Sequence, residues 1–554
     1  MEDTKMKKNR IFSIAAAAAM LLSTVSCNKF LDTMPDNRTE LDTEEKIISI
    51  LISAYHDHDY QLCTELMSDN IDDLGGEVNT RFTTFFEQLY RWADVSDSNT
   101  ESPTFFWSAA YGAIACANEA LAAIEKIEAE GPLSAALQAA KGEALVARAY
   151  EHFLLVNIFC QHYDPRYPDD LGIPYMKEAE TTLNPQYERG TVMEVYENIE
   201  KDLEAGLPLI SDINYTVPRY HFNQKAAYAF ATKFYLFYEK FDKAIAAANT
   251  CLGSTPQNIL RKYAELAELP MSNGSQLAVV ARQYCDASNP CNFLITTGYS
   301  TAGTYFGGYS TGARVNHGHV IAAYETLYAN APYGKATSVR KGNEYSRSCS
   351  YTPILKISSY DSALNRKVLA CRLPYIFQYT DLVAGIGYNR SLFLEFTTED
   401  VLLNRVEAYI LTGQYDKALA DMNMWAGNTF STYTTMTEES INAWADGMEY
   451  YTPTEPTPKK AFNTHYNIAD KTMENFCHAI LMIRRFEQIH MGQRWFDVKR
   501  YGIEIYRRQL DEADYNIEYI TDVLPARDER RALQIPYEVR QAGLKKNPRK
   551  TDTK

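Results

Sequence analysis

The chain lacks the features that mark several large classes of protein. Its 554 residues carry a formal net charge of −16, so there is no basic excess to hold nucleic acid or anionic lipid. The ten cysteines follow no regular spacing and form no disulfide framework, and pairing of Cys285 with Cys291 stays open. After the amino-terminal segment, no apolar run approaches transmembrane length. No Walker or dinucleotide-binding motif occurs.

The amino terminus has the pattern of a bacterial lipoprotein signal. A basic stretch at residues 6–10 precedes an apolar, alanine-rich stretch at residues 11–25, which suits a secretory signal and is too short to span a bilayer. Ser26 then precedes Cys27, and a small residue before a cysteine at this place is typical of a lipobox. The pattern predicts a signal peptide over residues 1–26 and lipidation of Cys27. An ordinary cleaved signal with an incidental cysteine is the alternative.

Two stretches of the chain share one helical pattern. In residues 223–252, small alanines and large aromatic side chains recur at steps of three and four on either side of a short polar turn. Residues 401–426 repeat the pattern, and FDKAI at 241–245 aligns with YDKAL at 415–419. Small side chains let two helices approach closely while an aromatic ring fills the groove beside them, as in tetratricopeptide repeats. The fold is therefore predicted to be mainly α, built on tetratricopeptide-like helical hairpins.

The middle of the chain does not follow this pattern. Between residues 265 and 394, glycine, serine, threonine, tyrosine and asparagine dominate, and helical periodicity fades. Short alternating runs occur at residues 276–283 and 372–379. We expect a large, loop-rich insertion here with a few small strands.

The helical scaffold is expected on both sides of this insertion. Its amino-terminal part should cover residues 27–264, where a capping box at Thr191 and Glu194 predicts a helix start. Its carboxy-terminal part should cover residues 395–554, with a mostly irregular tail after residue 514.

Six further motifs follow one another along nearly the whole chain. They are Phe30-Leu31-Asp32, Trp107-x-x-x-Tyr111-x-x-Ile114-x-x-x-Asn118, Ala147-Arg148-Ala149-Tyr150, residues 191–208, residues 492–502, and Gln534-Ile535-Pro536 with Asn547-Pro548. In this order they resemble the SusD/RagB family of outer-membrane nutrient-binding lipoproteins. The sequence departs from the family pattern at Ile483 and Met491, where glutamate is usual. Those changes affect local ion pairs rather than the fold.

The resemblance implies a fold and a role. The fold is a SusD-like helical scaffold on which the insertion at residues 265–394 forms the ligand-binding side. The implied role is that of a nutrient-binding lipoprotein that forms a stable complex with a SusC-like TonB-dependent transporter. The lipoprotein would be anchored in the outer membrane and exposed at the cell surface. The usual ligands are oligosaccharides, and one branch binds peptides. Neither catalysis nor a cofactor is expected.

A lipid-anchored hydrolase is the alternative from another class. Residues 308–312 fit the G-x-S-x-G pattern, and His317 and His319 lie close by in sequence. That motif requires an apolar strand before its serine, and the preceding residues 301–307 have no strand pattern. The sequence therefore favours a binding protein.

No metal site is predicted from sequence. Two histidine pairs lack the i, i+4 spacing of a zinc protease, and three nearby acidic residues lack the spacing of an EF-hand. These residues are His56 and His58, His317 and His319, and Asp69, Asp72 and Asp73.

Forty tyrosines make aromatic binding surfaces the natural place to look for a site. Sugars present apolar C–H faces and hydroxyl groups, so a sugar site needs exposed rings with polar neighbours. Trp107 and Trp495 are expected to be structural, and Trp92 could instead cap the core at a helix end. The aromatic cluster at 299–309 is expected to be exposed and to contact the ligand or the transporter. The candidate ligand-binding residues are Arg81, Trp92, Tyr299, Tyr305, Phe306 and Tyr309.

Overall fold

The computed structural model contains eighteen α-helices and nine strands within the residues it describes. Residues 47–554 form one compact unit. In the described part of the chain, no helix is long and apolar enough to cross a membrane. The described residues are 41–76, 80–96, 99–180, 186–270, 274–307, 313–334, 355–357, 367–430, 432–511 and 516–550.

Of the eighteen helices in the described residues, sixteen lie before residue 285 or after residue 397. The helices are α1 (Glu44–Ile50), α2 (Gln61–Met67), α3 (Thr84–Tyr90), α4 (Pro103–Glu130), α5 (Ala135–Phe159), α6 (Val192–Gly206), α7 (Gln224–Phe237), α8 (Phe241–Leu252), α9 (Tyr263–Ala267), α10 (Gly274–Tyr284), α11 (Ala302–Tyr305), α12 (His319–Tyr324), α13 (Thr398–Leu411), α14 (Tyr415–Thr429), α15 (Glu438–Asp446), α16 (Lys471–Glu487), α17 (Arg494–Arg500) and α18 (Tyr537–Gln541).

The strands form small antiparallel sheets. A three-stranded sheet has the order β2-β7-β6, and three further sheets pair β1 with β3, β4 with β5, and β8 with β9. The strands are β1 (Asp72–Asp73), β2 (Asn292–Tyr299), β3 (Val315–Asn316), β4 (Leu355–Ile357), β5 (Val368–Ala370), β6 (Ile376–Asp381), β7 (Ile386–Thr397), β8 (Ile505–Leu510) and β9 (Ile517–Leu524).

A buried arginine joins the first three long helices. Arg148 on α5 donates from Nε and Nη2 to both carboxylate oxygens of Asp202 on α6, at 2.7 and 2.6 Å. Its Nη1 donates to Asn118 Oδ1 on α4 at 2.8 Å. The predicted capping box is present at the start of α6, where Thr191 and Glu194 each bond the other's backbone amide. These contacts explain why α4, α5 and α6 pack side by side.

The two matched segments each form a pair of packed helices, α7 with α8 and α13 with α14. Their turns have the same backbone geometry, because Glu239 and Gly413 both adopt a positive φ, of 61° and 70°. The next residue in each turn, Lys240 or Gln414, donates its amide to a carbonyl five residues back at 2.8 Å. The helices and turns predicted from the shared pattern are therefore present, and their tetratricopeptide character stays a prediction.

The insertion differs from its prediction in one segment. Residues 372–379 contain the expected strand, as β6, but residues 276–283 lie in helix α10. The run is helical because Leu277, Val280, Ala281 and Tyr284 recur at helical spacing and are buried together. Cys285 and Cys291 are buried free thiols. The carboxy-terminal tail contains the paired strand β9 and is less irregular than expected.

Replacement of Gly413 by alanine tests the importance of the turn geometry. An added Cβ meets no atom within 4 Å, so the effect of Gly413→Ala isolates the backbone strain of a positive φ. We expect the free energy of unfolding to fall by about 1 kcal/mol in denaturant titrations. Gly112→Ala is the matched control, because this glycine lies within α4 and also has open space around it. The control should be stabilised by roughly 0.5–1 kcal/mol. Equal effects of both substitutions would contradict the interpretation.

Candidate functional site

Aromatic and polar side chains cluster at the end of strand β2. The His58 ring lies 5.0 Å from the Tyr299 ring and stacks on Phe105 at 5.4 Å, measured between ring centroids. The Tyr388 ring meets Tyr299 edge-on at 5.5 Å, and the Arg390 guanidinium lies 4.0 Å above the Tyr299 ring. We call these five residues the Tyr299 surface.

Backbone pairing brings these distant residues together. Tyr299 is opposite Arg390 in the register of β2 with β7, and its amide donates to Asp57 O at 2.9 Å. Gly298 allows the segment before α2 to lie against β2, since a Cβ there would be 3.4 Å from Asp59 N and 3.3 Å from the Phe393 ring. The sheet and the segment that carries His58 therefore hold the Tyr299 surface in one place.

The Tyr299 surface offers both rings and hydrogen-bonding groups to solvent. Tyr388 is 49% exposed, and His58, Phe105, Tyr299 and Arg390 are half-buried. The exposed Asp57 carboxylate lies 2.7 Å from His58 Nδ1, and this contact lowers the pKa of Asp57. Rings of fixed orientation beside a carboxylate and a guanidinium suit a ligand with apolar faces and hydroxyl groups.

A hairpin with an apolar tip extends the sheet beyond the Tyr299 surface. It joins β6 to β7, and the Asp381 carboxylate accepts from the amides of Val383 and Ala384 at 2.9 Å. Exposed apolar side chains that lie close together mark interaction sites. In this hairpin they are Tyr379 at 54% exposure, Leu382 at 79%, Val383 at 100% and Ile386 at 60%.

Two buried acids lie beneath the Tyr299 surface. Ser300 Oγ donates to Asp59 Oδ2 at 2.7 Å, and Glu101 accepts from Thr301 N at 2.5 Å. Burial raises the pKa of Asp59 to about 7, against opposing hydrogen bonds, and the nearby Glu101 raises it further. Burial also raises the pKa of Glu101. Both side chains are enclosed, Asp59 accepting from the Ser300 hydroxyl and Glu101 from the Thr301 amide, so they shape the site from below.

Of the predicted site residues, some are partly exposed and others are buried in the core. Tyr299 lies at the centre of the Tyr299 surface, and Arg81 is half-buried with its guanidinium 5.4 Å from the Tyr305 ring. The expected exposure of Tyr305 and Phe306 is wrong, because both are fully buried. Tyr305 stacks on Phe86 and donates its hydroxyl to Val315 O at 2.8 Å, while Phe306 stacks on His490. Tyr309 lies outside the described residues.

Trp92 is also buried, at 3% exposure, so the expectation of an exposed ring is wrong there too. Its indole Nε1 donates to Met67 O at 2.8 Å, and the Arg507 guanidinium lies 4.4 Å from its ring. The alternative of a core residue beyond a helix end is confirmed, since α3 ends at Tyr90. Trp107 and Trp495 are buried as expected.

Sequence reasoning missed four members of the Tyr299 surface, namely His58, Phe105, Tyr388 and Arg390. The alternation of Tyr388 and Arg390 along β7 was a usable signal, because both fall on one face of a strand. His58 carried no such signal, since it reaches Tyr299 only through an isolated parallel bridge.

His56, His317 and the three acids once considered for calcium have structural roles. His56 lies between Glu151 and Glu395, and these carboxylates raise its pKa to about 10 against the opposing effect of burial. His317 bonds Thr326 Oγ1 at 2.8 Å, and burial lowers its pKa to about 3. Arginines pair with the acids once considered for calcium, as Arg494 with Asp69, Arg508 with Asp72 and Arg314 with Asp73. The G-x-S-x-G segment, residues 308–312, lies outside the described residues.

A recess of about 320 Å³ lies apart from the Tyr299 surface. It opens between α4, the segment after α5, and α18. Its walls are largely apolar and include Trp107, Tyr111, Pro174, Met176 and Leu544. Such walls suit an apolar group better than the hydroxyl groups of a sugar.

The structure is a mainly helical scaffold that carries an exposed aromatic surface. Two family models match its sequence: a SusD-like model described as starch-binding and associating with the outer membrane matches residues 29–236, and the SusD family model matches residues 299–541. The chain belongs to the SusD/RagB family.

Solved structures share the fold. A SusD superfamily protein from Bacteroides thetaiotaomicron is 19% identical, with a TM-score of 0.56 over 91% of this chain and 98% of that one. A SusD superfamily protein from Bacteroides vulgatus is 16% identical, with a TM-score of 0.58 over the same shares. A laminarin-binding SusD-like protein is 16% identical, with a TM-score of 0.50 over 91% of this chain and 98% of that one. A comparison with curated proteins gives no match.

The pH dependence of stability tests the buried acid beneath the Tyr299 surface. Because the pKa of Asp59 is raised from 3.8 to about 7 in the folded state, folding takes up a proton between these values. Asp59 therefore makes the protein less stable as pH rises through this window, by at most about 1.4 kcal/mol per pH unit. The free energy of unfolding of Asp59→Asn, relative to that of the unmodified protein, should therefore increase as the pH is raised from 4 to 7. Denaturant titrations across this range measure the difference.

Asp416→Asn is the control for this experiment, because it removes an exposed carboxyl group at the start of α14. If the free energy of unfolding of Asp59→Asn relative to the unmodified protein does not change with pH, burial does not perturb Asp59 in this way. The same pH dependence in both variants would lead to the same conclusion.

Proposed function

We propose that this protein is a non-catalytic, lipid-anchored binding protein of the cell surface. It captures an oligosaccharide or polysaccharide and delivers it to a SusC-like TonB-dependent transporter in the outer membrane. The observation that carries the proposal is the Tyr299 surface, where aromatic rings of fixed orientation face solvent beside charged side chains. The anchor would be Cys27, which lies outside the described residues.

The chemistry of the Tyr299 surface suits a sugar. A pyranose ring has an apolar face that can pack on an aromatic plane, such as Tyr388 at 49% exposure. The Arg390 guanidinium and the Asp57 carboxylate can bond sugar hydroxyls on either side. The laminarin-binding protein with the same fold supports this choice of ligand.

The acids near the Tyr299 surface support a role without catalysis. A glycosidase needs two carboxyl groups that reach opposite sides of the bond to be cleaved. Asp59 and Glu101 are only 3% and 8% exposed, and both are bonded to the backbone or hydroxyls of Ser300 and Thr301. They therefore have no direct access to a ligand bound above them.

The apolar tip of the β6–β7 hairpin supports a contact with another protein. Val383 is fully exposed and Leu382 is 79% exposed, which favours burial against a partner. In this proposal, the transporter covers the tip while the ligand occupies the neighbouring rings.

Substitution of the two tyrosines tests the sugar site. In gels cast with a panel of polysaccharides that includes laminarin, the purified protein should be retarded by one class of glycan. Tyr388→Ala and Tyr299→Ala should each weaken that retardation at least about tenfold, equivalent to about 1.4 kcal/mol, because each removes a stacking plane.

Tyr519→Ala is the matched control, since Tyr519 is a strand tyrosine with 58% exposure on β9, outside the Tyr299 surface. It should leave the retardation unchanged. Free migration of the unmodified protein in every gel would contradict glycan binding, and equal losses in all three variants would contradict the location of the site.

Peptide binding is the second candidate, and one observation favours it. Among the described strands, β6 lies at an edge of its sheet, and residues 378–381 are exposed. An extended peptide could add to such an edge through backbone hydrogen bonds. Binding of synthetic peptides in calorimetry, together with free migration in all polysaccharide gels, would favour this function over the first.

A further inference from the structure

Two histidines and an aspartate converge just beyond the end of α5. His465 Nδ1 lies 3.4 Å from Asp164 Oδ2, and His162 Nε2 lies 4.0 Å from the same oxygen. One ligand atom from each of the three residues lies within 4.8 Å of the other two. The imidazole rings are nearly parallel, with planes 21° apart and centroids 6.3 Å apart. This group shares no residue with the Tyr299 surface.

Both histidine side chains are buried, and within the described residues each has one ring nitrogen without a hydrogen bond. The side chains of His162 and His465 are only 6% and 5% exposed. Neither Nδ1 atom has a hydrogen-bond partner within the described parts of the chain. Buried polar atoms are normally bonded, so the unpaired Nδ1 of His465, which faces the Asp164 carboxylate, indicates a missing ligand.

The neighbouring turn gives an independent indication. Glu239 bonds His465 Nε2 on the side of the ring away from Asp164. Glu239 has a φ of 61°, although the equivalent position in the α13–α14 turn is Gly413 with a φ of 70°. A glutamate in this conformation is strained where glycine is not. A carboxylate that fixes the second nitrogen of an imidazole is the usual support of a metal-bound histidine.

We propose that His162, Asp164 and His465 bind one divalent transition-metal ion of the zinc type, and that Glu239 orients His465. Two imidazoles and a carboxylate are ligands that Zn²⁺ accepts and that Ca²⁺ does not prefer. Bonds of about 2.0–2.2 Å in a tetrahedron place ligand atoms roughly 3.3–3.5 Å apart. The separations of 3.4 and 4.0 Å approach this value, so small side-chain movements complete the site.

The charges around the group are compatible with a cation. The Arg166 guanidinium donates two hydrogen bonds to the Asp164 carboxylate, at 2.7 and 3.0 Å. Arg527 lies 4.0 Å from Asp164 and forms an ion pair with Asp170 at 2.5 Å. With Lys499, these two arginines balance the three carboxylates of Asp164, Asp170 and Glu239, so a bound cation would meet a locally neutral environment.

Zinc titration of the purified, chelator-treated protein tests the site. Calorimetry should show saturable binding of one Zn²⁺ per chain, and the thermal unfolding midpoint should rise with zinc, because the ion binds only the folded chain. Co²⁺ in the same site should give the strong visible absorption of tetrahedral coordination. His465→Gln and His162→Gln should each remove the saturable binding and the absorption.

His221→Gln is the matched control, because His221 is a part-buried histidine beside Glu143 and lies outside the group. It should bind zinc as the unmodified protein does. Absence of saturable binding at millimolar zinc, or an equal loss in His221→Gln, would overturn the proposal. Should a variant fail to fold in chelator, anomalous diffraction from zinc-soaked crystals of the unmodified protein decides the matter. Density between His162 and His465 supports the site, and its absence there rejects it.

Discussion

A buried carboxylate, Asp69, holds together parts of the chain that are far apart in sequence. Arg494 on α17 forms a fork on it at 2.8 and 2.9 Å, and Lys460 donates to it at 2.8 Å. Despite burial, Arg485, Arg494 and Lys460 together keep the pKa of Asp69 well below its usual value. Loss of one partner from a buried ion pair costs about 3–5 kcal/mol, because the remaining charge stays buried. The Asp69 cluster therefore fixes α2, and with it the segment that carries His58.

The helical scaffold uses the same device twice. Arg148 joins Asn118 and Asp202 across α4, α5 and α6, and Arg405 joins Asn249 and Asp421 across α8, α13 and α14. In each case one guanidinium donates two hydrogen bonds to an aspartate of the next helix and one to an asparagine of an earlier helix. Five charged donors in a fixed plane suit this three-way junction better than an ammonium would. The repeated junction therefore fixes how the helices pack in both halves of the scaffold.

Local sequence signals predicted the local structure. The capping box at Thr191, the FDKAI and YDKAL repeats and the buried Trp107 all depend on residues a few positions apart, and the structure confirms them. Of the candidate site, sequence reasoning predicted only Tyr299, because Arg81 lies beside the buried Tyr305 and outside the Tyr299 surface. Burial of Trp92 and Phe306 depends on Arg507 and His490, which lie far along the chain. Periodicity carries no information about such contacts, and the same is true of the pairing of Tyr299 with Arg390.

The location of the sugar is the central claim, and a crystal structure with a bound oligosaccharide tests it most directly. We predict a sugar ring packed on Tyr299 or Tyr388, with hydroxyl groups bonded to Arg390 or Asp57. A sugar bound instead in the apolar recess between Trp107 and Leu544, with the Tyr299 surface empty, would contradict the account.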